Sequence, residues 1–191
     1  MHSSARSLRG TLPAMDIRMM HPDEFDEMRE LSATAFGGDQ KIRDLLDVMH
    51  DSWSWEDELS FVAEQDGQLV GHVLYSHAFV DAPDRLVDVL LLSPIGVRPD
   101  LQRSGVGKQL MRQSLAVVAN RDEPMVFLEG HPGYYPQFGF VPAKGLGFTA
   151  PSTRIPDAAF MVHLLPRYHP SITGALVYPD AFWRTDTVGL R

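Results

Sequence analysis

Residues 95–108 read Ile95-Gly96-Val97-Arg98-Pro99-Asp100-Leu101-Gln102-Arg103-Ser104-Gly105-Val106-Gly107-Lys108. An apolar strand ends at the Arg98-Pro99 turn, and a glycine-bearing loop opens directly onto a helix. A helix start has up to four N–H groups without intrahelical partners and carries the positive end of the macrodipole. Glycines there let a phosphate approach the backbone unobstructed. From Arg98 to Arg121 there are five Lys/Arg and one Asp, a local charge of +4, which favours a bound polyphosphate. Within the helix expected over Gln102–Asn120, the residues Gly107, Leu110, Met111, Ser114, Leu115 and Val118 recur at helical spacing and form one apolar face, with Gly107 allowing close approach to a sheet. The glycines fit neither common nucleotide motif. Gly105 and Gly107 stand one residue apart with Lys108 directly after, unlike a Walker loop, and residue 110 is leucine where a Rossmann fingerprint has its third glycine.

Outward from this stretch, strands and helices alternate in mixed order. Ile17–Met19 reads as a first strand, and Pro22 opens a helix whose core face is Phe25, Met28, Leu31, Ser32 and Ala35. Gly37-Gly38 ends it, and a second helix over Gln40–His50 presents Ile42, Leu45, Leu46 and Met49. Leu59–Glu64 and Leu69–Val80 form a hairpin about Asp66-Gly67. Leu86–Val97 is a long strand broken at Pro94 and Gly96, Pro124–Glu129 is a strand apolar on both faces, and Phe160–Leu165 is the final strand. The expected class is α/β (α+β), a central mixed, mostly antiparallel sheet flanked by helices. Residues 1–15 read as an N-terminal extension outside the fold, 16–165 as the domain, and 166–191 as a C-terminal extension packed on it. The extension is read as disordered or as lying upstream of a start at Met15, although its Arg/Ser bias also suits a transit peptide.

Composition removes several classes. The chain has 191 residues, 44% of them hydrophobic, and no cysteine, so disulfides, thiolate metal sites and a cysteine nucleophile are excluded. A net charge of −8 argues against nucleic acid as a partner. No apolar run approaches the roughly 20 residues of a membrane span, and a cytoplasmic location is expected. Residues 16–66 hold 15 Asp/Glu against 4 Lys/Arg, which suggests an acidic side for a cationic ligand opposite the basic phosphate side; the solvated outer faces of two helices would give the same count. His72 and His77 fall on opposite faces of a strand, so no shared metal is expected. Trp53 and Trp55 read as packing residues or as the wall of a cleft.

The residues resemble the GNAT superfamily of N-acetyltransferases. Gln102-Arg103-Ser104-Gly105-Val106-Gly107 matches its Gln/Arg-x-x-Gly-x-Gly/Ala motif, and Tyr134-Tyr135-Pro136-Gln137-Phe138-Gly139-Phe140 is similar to its Tyr-x-x-x-Gly-Phe segment. The resemblance covers about residues 16–165. The ending Leu176–Phe182 is similar to a bacterial subgroup whose substrates are mostly unassigned. The resemblance implies a GNAT fold with a bulged strand near Pro94-Gly96 and acetyl-CoA as co-substrate. Ile95 and Val97 would offer backbone groups to the pantetheine arm, with Gly96 at the bulge. Gln102, Arg103, Ser104, Gly105, Val106, Gly107 and Lys108 would hold the diphosphate. Many family members carry an asparagine that contacts the pantetheine where this chain has Leu128, whose side chain has no polar group for that contact.

Acetyl transfer needs a neutral amine, a stabilised oxyanion and a proton for the departing thiolate. Without cysteine, transfer is expected directly from thioester to amine. By resemblance Tyr135 is the general acid and a coenzyme contact; Tyr134 is its neighbouring alternative, and both rings also read as packing partners of Phe138 and Phe140. Glu129, at the end of a strand, is the candidate base, or else a solvated strand end; His131 competes with it. The acceptor is expected to be a small-molecule or peptide amine, entering between the first two helices and the Trp53/Trp55 loop. An acyl-CoA-binding module or sensor without turnover is the alternative, and a homodimer is compatible with the sequence.

Overall fold

A computed structural model describes residues 15–189. Residues 1–14, which hold nearly all of the N-terminal extension, and residues 190–191 lie outside the described residues. Strand β1 (Met15–Met19) leads through a 3-10 turn at Pro22–Glu24 into α1 (Phe25–Ala35), and α2 (Gln40–His50) follows the Gly37-Gly38 break. The Glu24 carboxylate accepts the His21 N–H at 2.8 Å and is gripped by Arg18. Asp39 caps α2 by accepting the Lys41 N–H at 2.9 Å, the role expected of an N-terminal aspartate.

Three long strands form the centre: β2 (Ser60–Gln65), β3 (Gln68–Asp81) and β4 (Leu86–Val97). After them come α3 (Val106–Val118), β5 (Met125–Glu129), the two-residue strands β6 (Val141–Pro142) and β7 (Phe148–Thr149), and β8 (Phe160–Leu164). The chain closes with β9 (Gly174–Val177) and α4 (Asp180–Arg184). The main sheet order is β1-β2-β3-β4-β5-β8-β6. Its pairs are antiparallel except β4 with β5. Past the first residue of β2, β9 takes its place beside Phe79–Asp81 of β3 and pairs in parallel with β7.

Both faces of the sheet are covered. Under α1 and α2 lie Met28, Leu45, Leu46, Met49, Leu74, Phe127 and Phe160; under α3 lie Tyr75, Leu90, Leu110, Met111, Val118 and Phe140. Val106, rather than Gly107, starts the buried stripe of α3. The glycine that admits α3 to the sheet is Gly71 of β3, where a Cβ would meet Leu110 Cδ1 at 2.8 Å. Two buried polar groups are satisfied internally, as burial requires. His72 lies between Ser32 Oγ and Ser60 Oγ, each at 3.0 Å. Tyr75 Oη meets Ser114 Oγ at 2.7 Å, and Ser114 donates in turn to Leu110 O.

Three sequence expectations change. The helix after the glycine loop begins at Val106 instead of Gln102, because Pro99–Leu101 forms a separate 3-10 turn and Gly105 takes the left-handed conformation at φ +103°. Phe160–Leu164 is not the last strand, since β9 follows it. The irregularity in β4 falls at Ser93-Pro94, opposite Leu74, while Gly96 stays paired with His72; proline has no N–H for the ladder, so the break comes at residue 94 and not at 96.

Candidate active site

The register of β3 and β4 determines which backbone groups of β4 are available. Arg98 N–H donates to Val70 O at 2.9 Å, and the next pair inward along the same register, Gly96 with His72, is also a hydrogen-bonded pair. Ile95 opposite Val73 and Val97 opposite Gly71 are therefore non-hydrogen-bonded positions, and their N–H and C=O groups point away from β3. On that side β5 pairs only with Leu90 and Leu91. From Leu92 onward the two parallel strands part, and the edge of β4 at Ile95 and Val97 faces a cleft.

Gly96 has a different task from the one expected. A Cβ there would lie 2.9 Å from Ala35 Cβ and 3.5 Å from Ser32 Cα, so the glycine lets the end of α1 press on β4. Gln102 fastens this junction: its Nε2 donates to Val97 O at 3.2 Å and to Ala35 O at 3.4 Å. The cleft edge then runs into the loop at Arg103, whose φ is +63°, and on to Gly105. Val106, Gly107 and Lys108 form the first turn of α3, whose N–H groups have no carbonyl a turn earlier in the helix to bond. Of the five cations between Arg98 and Arg121, Arg98 pairs with Asp100, and Arg121 pairs with Glu56 and Glu123 at the far end of α3. Arg103, Lys108 and Arg112 make no ion pair among the described residues. This turn presents N–H donors, with Lys108 in it and Arg103 in the loop before it carrying unpaired positive charge, and it fits a phosphate-bearing ligand.

Across the cleft, β5 ends at Glu129-Gly130. The Tyr135 ring lies against Gly130 so closely that a Cβ there would stand 2.3 Å from Tyr135 Cε2. Burial, and next the neighbouring Tyr134, push the Tyr135 phenol up to about 12, so it is a protonated donor at neutral pH. Glu129 is held from the C-terminal segment: Gly189 N–H donates to its Oε2 at 3.1 Å. Tyr178 beside it is pushed well above the ordinary phenol range, by burial first and by the Glu129 charge second. His131 accepts the Gly133 N–H on Nδ1 at 3.1 Å. Its neutral form then carries the proton on Nε2 and has no vacant lone pair there for a substrate proton.

These walls enclose a cavity of about 470 Å³. Ile95, Glu129, Tyr134 and Tyr135 line it together; Gly96, Val97 and residues 102–108 do not, and form the adjoining strand edge and helix start. The Trp53/Trp55 loop is absent from the lining. Trp53 stacks on Phe79 at 4.9 Å, and Trp55 packs edge-on to Phe25 and His50. The first two helices contribute Phe36, Asp39, Lys41, Ile42 and Leu45, and the C-terminal segment supplies the opposite wall with Tyr178, Phe182 and Asp186. Asp186 joins the two sides, taking Lys41 on one oxygen and Arg154 on the other. The sequence carries a signal for this wall in the apolar run Ala175–Tyr178 followed by Pro179-Asp180, a strand and then a helix start. Of the acidic stretch 16–66 only Asp39 reaches the cavity; Glu24, Glu30, Asp47, Glu56 and Glu64 are consumed by arginines. Among the described residues no cluster of His, Asp and Glu is arranged to hold a metal ion, and no helix is long and apolar enough to cross a membrane.

Comparison with known proteins accords with this geometry. Residues 16–143 match the family described as the Acetyltransferase (GNAT) domain. The chain is 32% identical over 158 residues to the uncharacterized N-acetyltransferase YjhQ of Escherichia coli (strain K12), covering 81% of this chain and 86% of that protein. It is 34% identical over 119 residues to the mycothiol acetyltransferase of Streptomyces bingchenggensis, of which the match spans only 36%. Among solved structures, the GNAT family N-acetyltransferase YhbS from Escherichia coli in complex with CoA shares the fold at a TM-score of 0.78 and 24% identity, covering 96% of this chain and 97% of that one. A GNAT family acetyltransferase from Brucella melitensis in complex with acetyl-CoA superposes at 0.71 with 27% identity, over 88% of this chain and 98% of that one.

Proposed function

The chain belongs to the GNAT acetyltransferase family, and from that premise we propose that it moves the acetyl group of acetyl-CoA to a primary amine by direct attack, with Tyr135 as the general acid. The observation that carries this reading is the unpaired edge of β4 at Ile95 and Val97, which opens towards the parting of β5 and leads to the first turn of α3. An extended amide-containing arm adds to such an edge as a strand would, and a diphosphate suits the helix start beyond it. The solved relatives with CoA and acetyl-CoA support the same ligand here.

In the proposed reaction the neutral amine attacks the thioester carbonyl. The C–N bond forms, the C–S bond breaks, the departing thiolate takes the Tyr135 proton, and the proton that the attacking nitrogen loses on becoming an amide returns through water to the Tyr135 phenolate. A phenol near 12 is a weak acid towards water, but it donates its proton directly to the thiolate developing beside it. Glu129, oriented by Gly189, takes the ammonium proton of the acceptor through water before attack. The acceptor lies between α2 and the C-terminal segment, against Ile42, Leu45, Tyr178 and Phe182. The acceptor is a small-molecule or peptide amine, and the chain works in the cytoplasm, with two copies able to associate as a homodimer.

The test is an amine panel scored by free-thiol release from acetyl-CoA. Release that depends on an added amine, and is lost in Tyr135→Phe, supports the reading. Tight acetyl-CoA binding without release for any amine would favour a coenzyme-binding sensor, and full turnover by Tyr135→Phe would remove Tyr135 from the role of acid.

A further inference from the structure

Tyr134 has no part in the steps above, yet its position is unusual. It stands on the β5 side of the cleft, with its ring edge-on to Tyr135 at 5.1 Å and to Phe138 at 5.3 Å. Its hydroxyl reaches the opposite wall: a Cβ on Gly107 would lie 3.1 Å from Tyr134 Oη and 3.5 Å from Val97 Cγ2. Gly107 is the second residue of α3, so the hydroxyl sits against the first turn of that helix. The backbone of Tyr134 is tied on both sides, its N–H to His131 O at 3.0 Å and its carbonyl by Gln137 Nε2 at 2.8 Å. Among the described residues its hydroxyl makes no hydrogen bond. Burial holds the phenol above its ordinary value, which keeps it a donor at neutral pH.

Gly107 bears on the same contact from the helix side. It lies within a helix and outside the left-handed region, so its backbone conformation does not call for glycine, and alanine would be the better helix former. What a side chain at 107 would crowd is the Tyr134 hydroxyl. The glycine keeps that hydroxyl at the helix start.

We propose that Tyr134 is a coenzyme-binding residue that donates its hydroxyl hydrogen to a diphosphate oxygen of acetyl-CoA at the start of α3. This rests on the reading of α3 as the diphosphate site and gives the two adjacent tyrosines separate work: Tyr134 holds the coenzyme and Tyr135 protonates its sulfur. The hydroxyl adds, from the far side of the cleft, a neutral donor to a cradle of backbone N–H groups and basic side chains.

Calorimetric titration of the full chain with acetyl-CoA, and separately with 3′-phosphoadenosine 5′-diphosphate, tests the assignment. Tyr134→Phe should weaken both ligands about tenfold, the loss of one hydrogen bond to a charged acceptor, with an unchanged melting temperature because the hydroxyl has no intramolecular partner. Gly107→Ala should weaken both in the same sense by crowding the hydroxyl. Tyr135→Phe should bind the diphosphate fragment within about twofold of the wild type, since it removes no contact to that part of the ligand. Wild-type affinity for both ligands in Tyr134→Phe overturns the proposal. So does a loss confined to acetyl-CoA, which would put the hydroxyl on the pantetheine arm, or an equal loss of the fragment in Tyr135→Phe. A wild-type chain that binds neither ligand overturns the diphosphate site itself, and this assignment with it.

Discussion

Gly130→Ala isolates the position of the Tyr135 ring from its chemistry. The added Cβ would sit 2.3 Å from Cε2, 3.0 Å from Cδ2 and 3.1 Å from Cζ of Tyr135. Carbon atoms in contact prefer about 3.5–4.0 Å, so the ring must withdraw by more than about 1 Å. The backbone of residue 130 is the less yielding partner, because its N–H is anchored to Ala159 O at 3.0 Å. Its φ is outside the left-handed region, so alanine adds no backbone strain. A displacement of about 1 Å at a reacting group costs on the order of 100-fold in rate, while an overpacked contact at a partly exposed site costs about 1–3 kcal/mol of stability. Gly130→Ala should therefore remain folded and lose roughly 100-fold in kcat, measured as thiol release at saturating amine and acetyl-CoA. Combined with Tyr135→Phe it should add less than about threefold further loss, because both changes remove one interaction. Turnover by Gly130→Ala within about threefold of wild type, a loss too small for a misplaced acid, would refute the reasoning.

Other outcomes follow from the same geometry. His72 is held neutral, burial lowering it to about 3, whereas the unfolded chain takes up that proton near 6.5. The native state then binds fewer protons than the unfolded state between these values, so stability falls as pH drops from about 6.5 towards 3, by about 2 kcal/mol between pH 7 and 5. Half-buried His163 is lowered by desolvation too, so the readout is the difference from His72→Gln in denaturant midpoints, and parallel curves for the two proteins would sink it. Gly105→Glu places a carboxylate in open space at the helix start, at φ +103°, and should abolish the thermal shift given by acetyl-CoA; an undiminished shift would remove residue 105 from the cradle. Glu129→Gln should lower kcat/KM at neutral pH and recover as pH approaches the pKa of the amine, while an unchanged pH profile would leave Glu129 only as an anchor for Gly189.

Much of the fold was legible because periodicity and turn chemistry agreed. The stripe Ile42-Leu45-Leu46-Met49, the Asp66-Gly67 hairpin and the both-face apolar Met125–Leu128 each point to one conformation. The elements that escaped are short and depend on tertiary contact. β6 and β7 have two residues each, and β9 fits because β2 starts only at Ser60, opposite Leu74, and leaves Phe79–Asp81 unpaired on that side. At the site, glycine and proline punctuation is local and marked the break in β4 and the loop before α3, whereas the roles of Ile95, Val97, Gln102–Lys108 and Tyr135 came from the resemblance. The swap of tasks between Gly71, Gly96 and Gly107 could not be read this way, because it depends on which helix presses where. The cavity wall from Tyr178 to Gly189 was likewise hidden by nearly fifty residues of separation from Glu129.

The most direct test of the account is a backbone amide NMR titration of the labelled full chain with acetyl-CoA. The largest shifts are predicted at the N–H groups of Ile95, Val97, Gly105, Val106, Gly107 and Lys108, with Gly96 and Arg98 shifting less because their N–H groups bond β3. Shifts that spare Val97 and the first turn of α3, or that gather on the β9 side of the sheet, would contradict it.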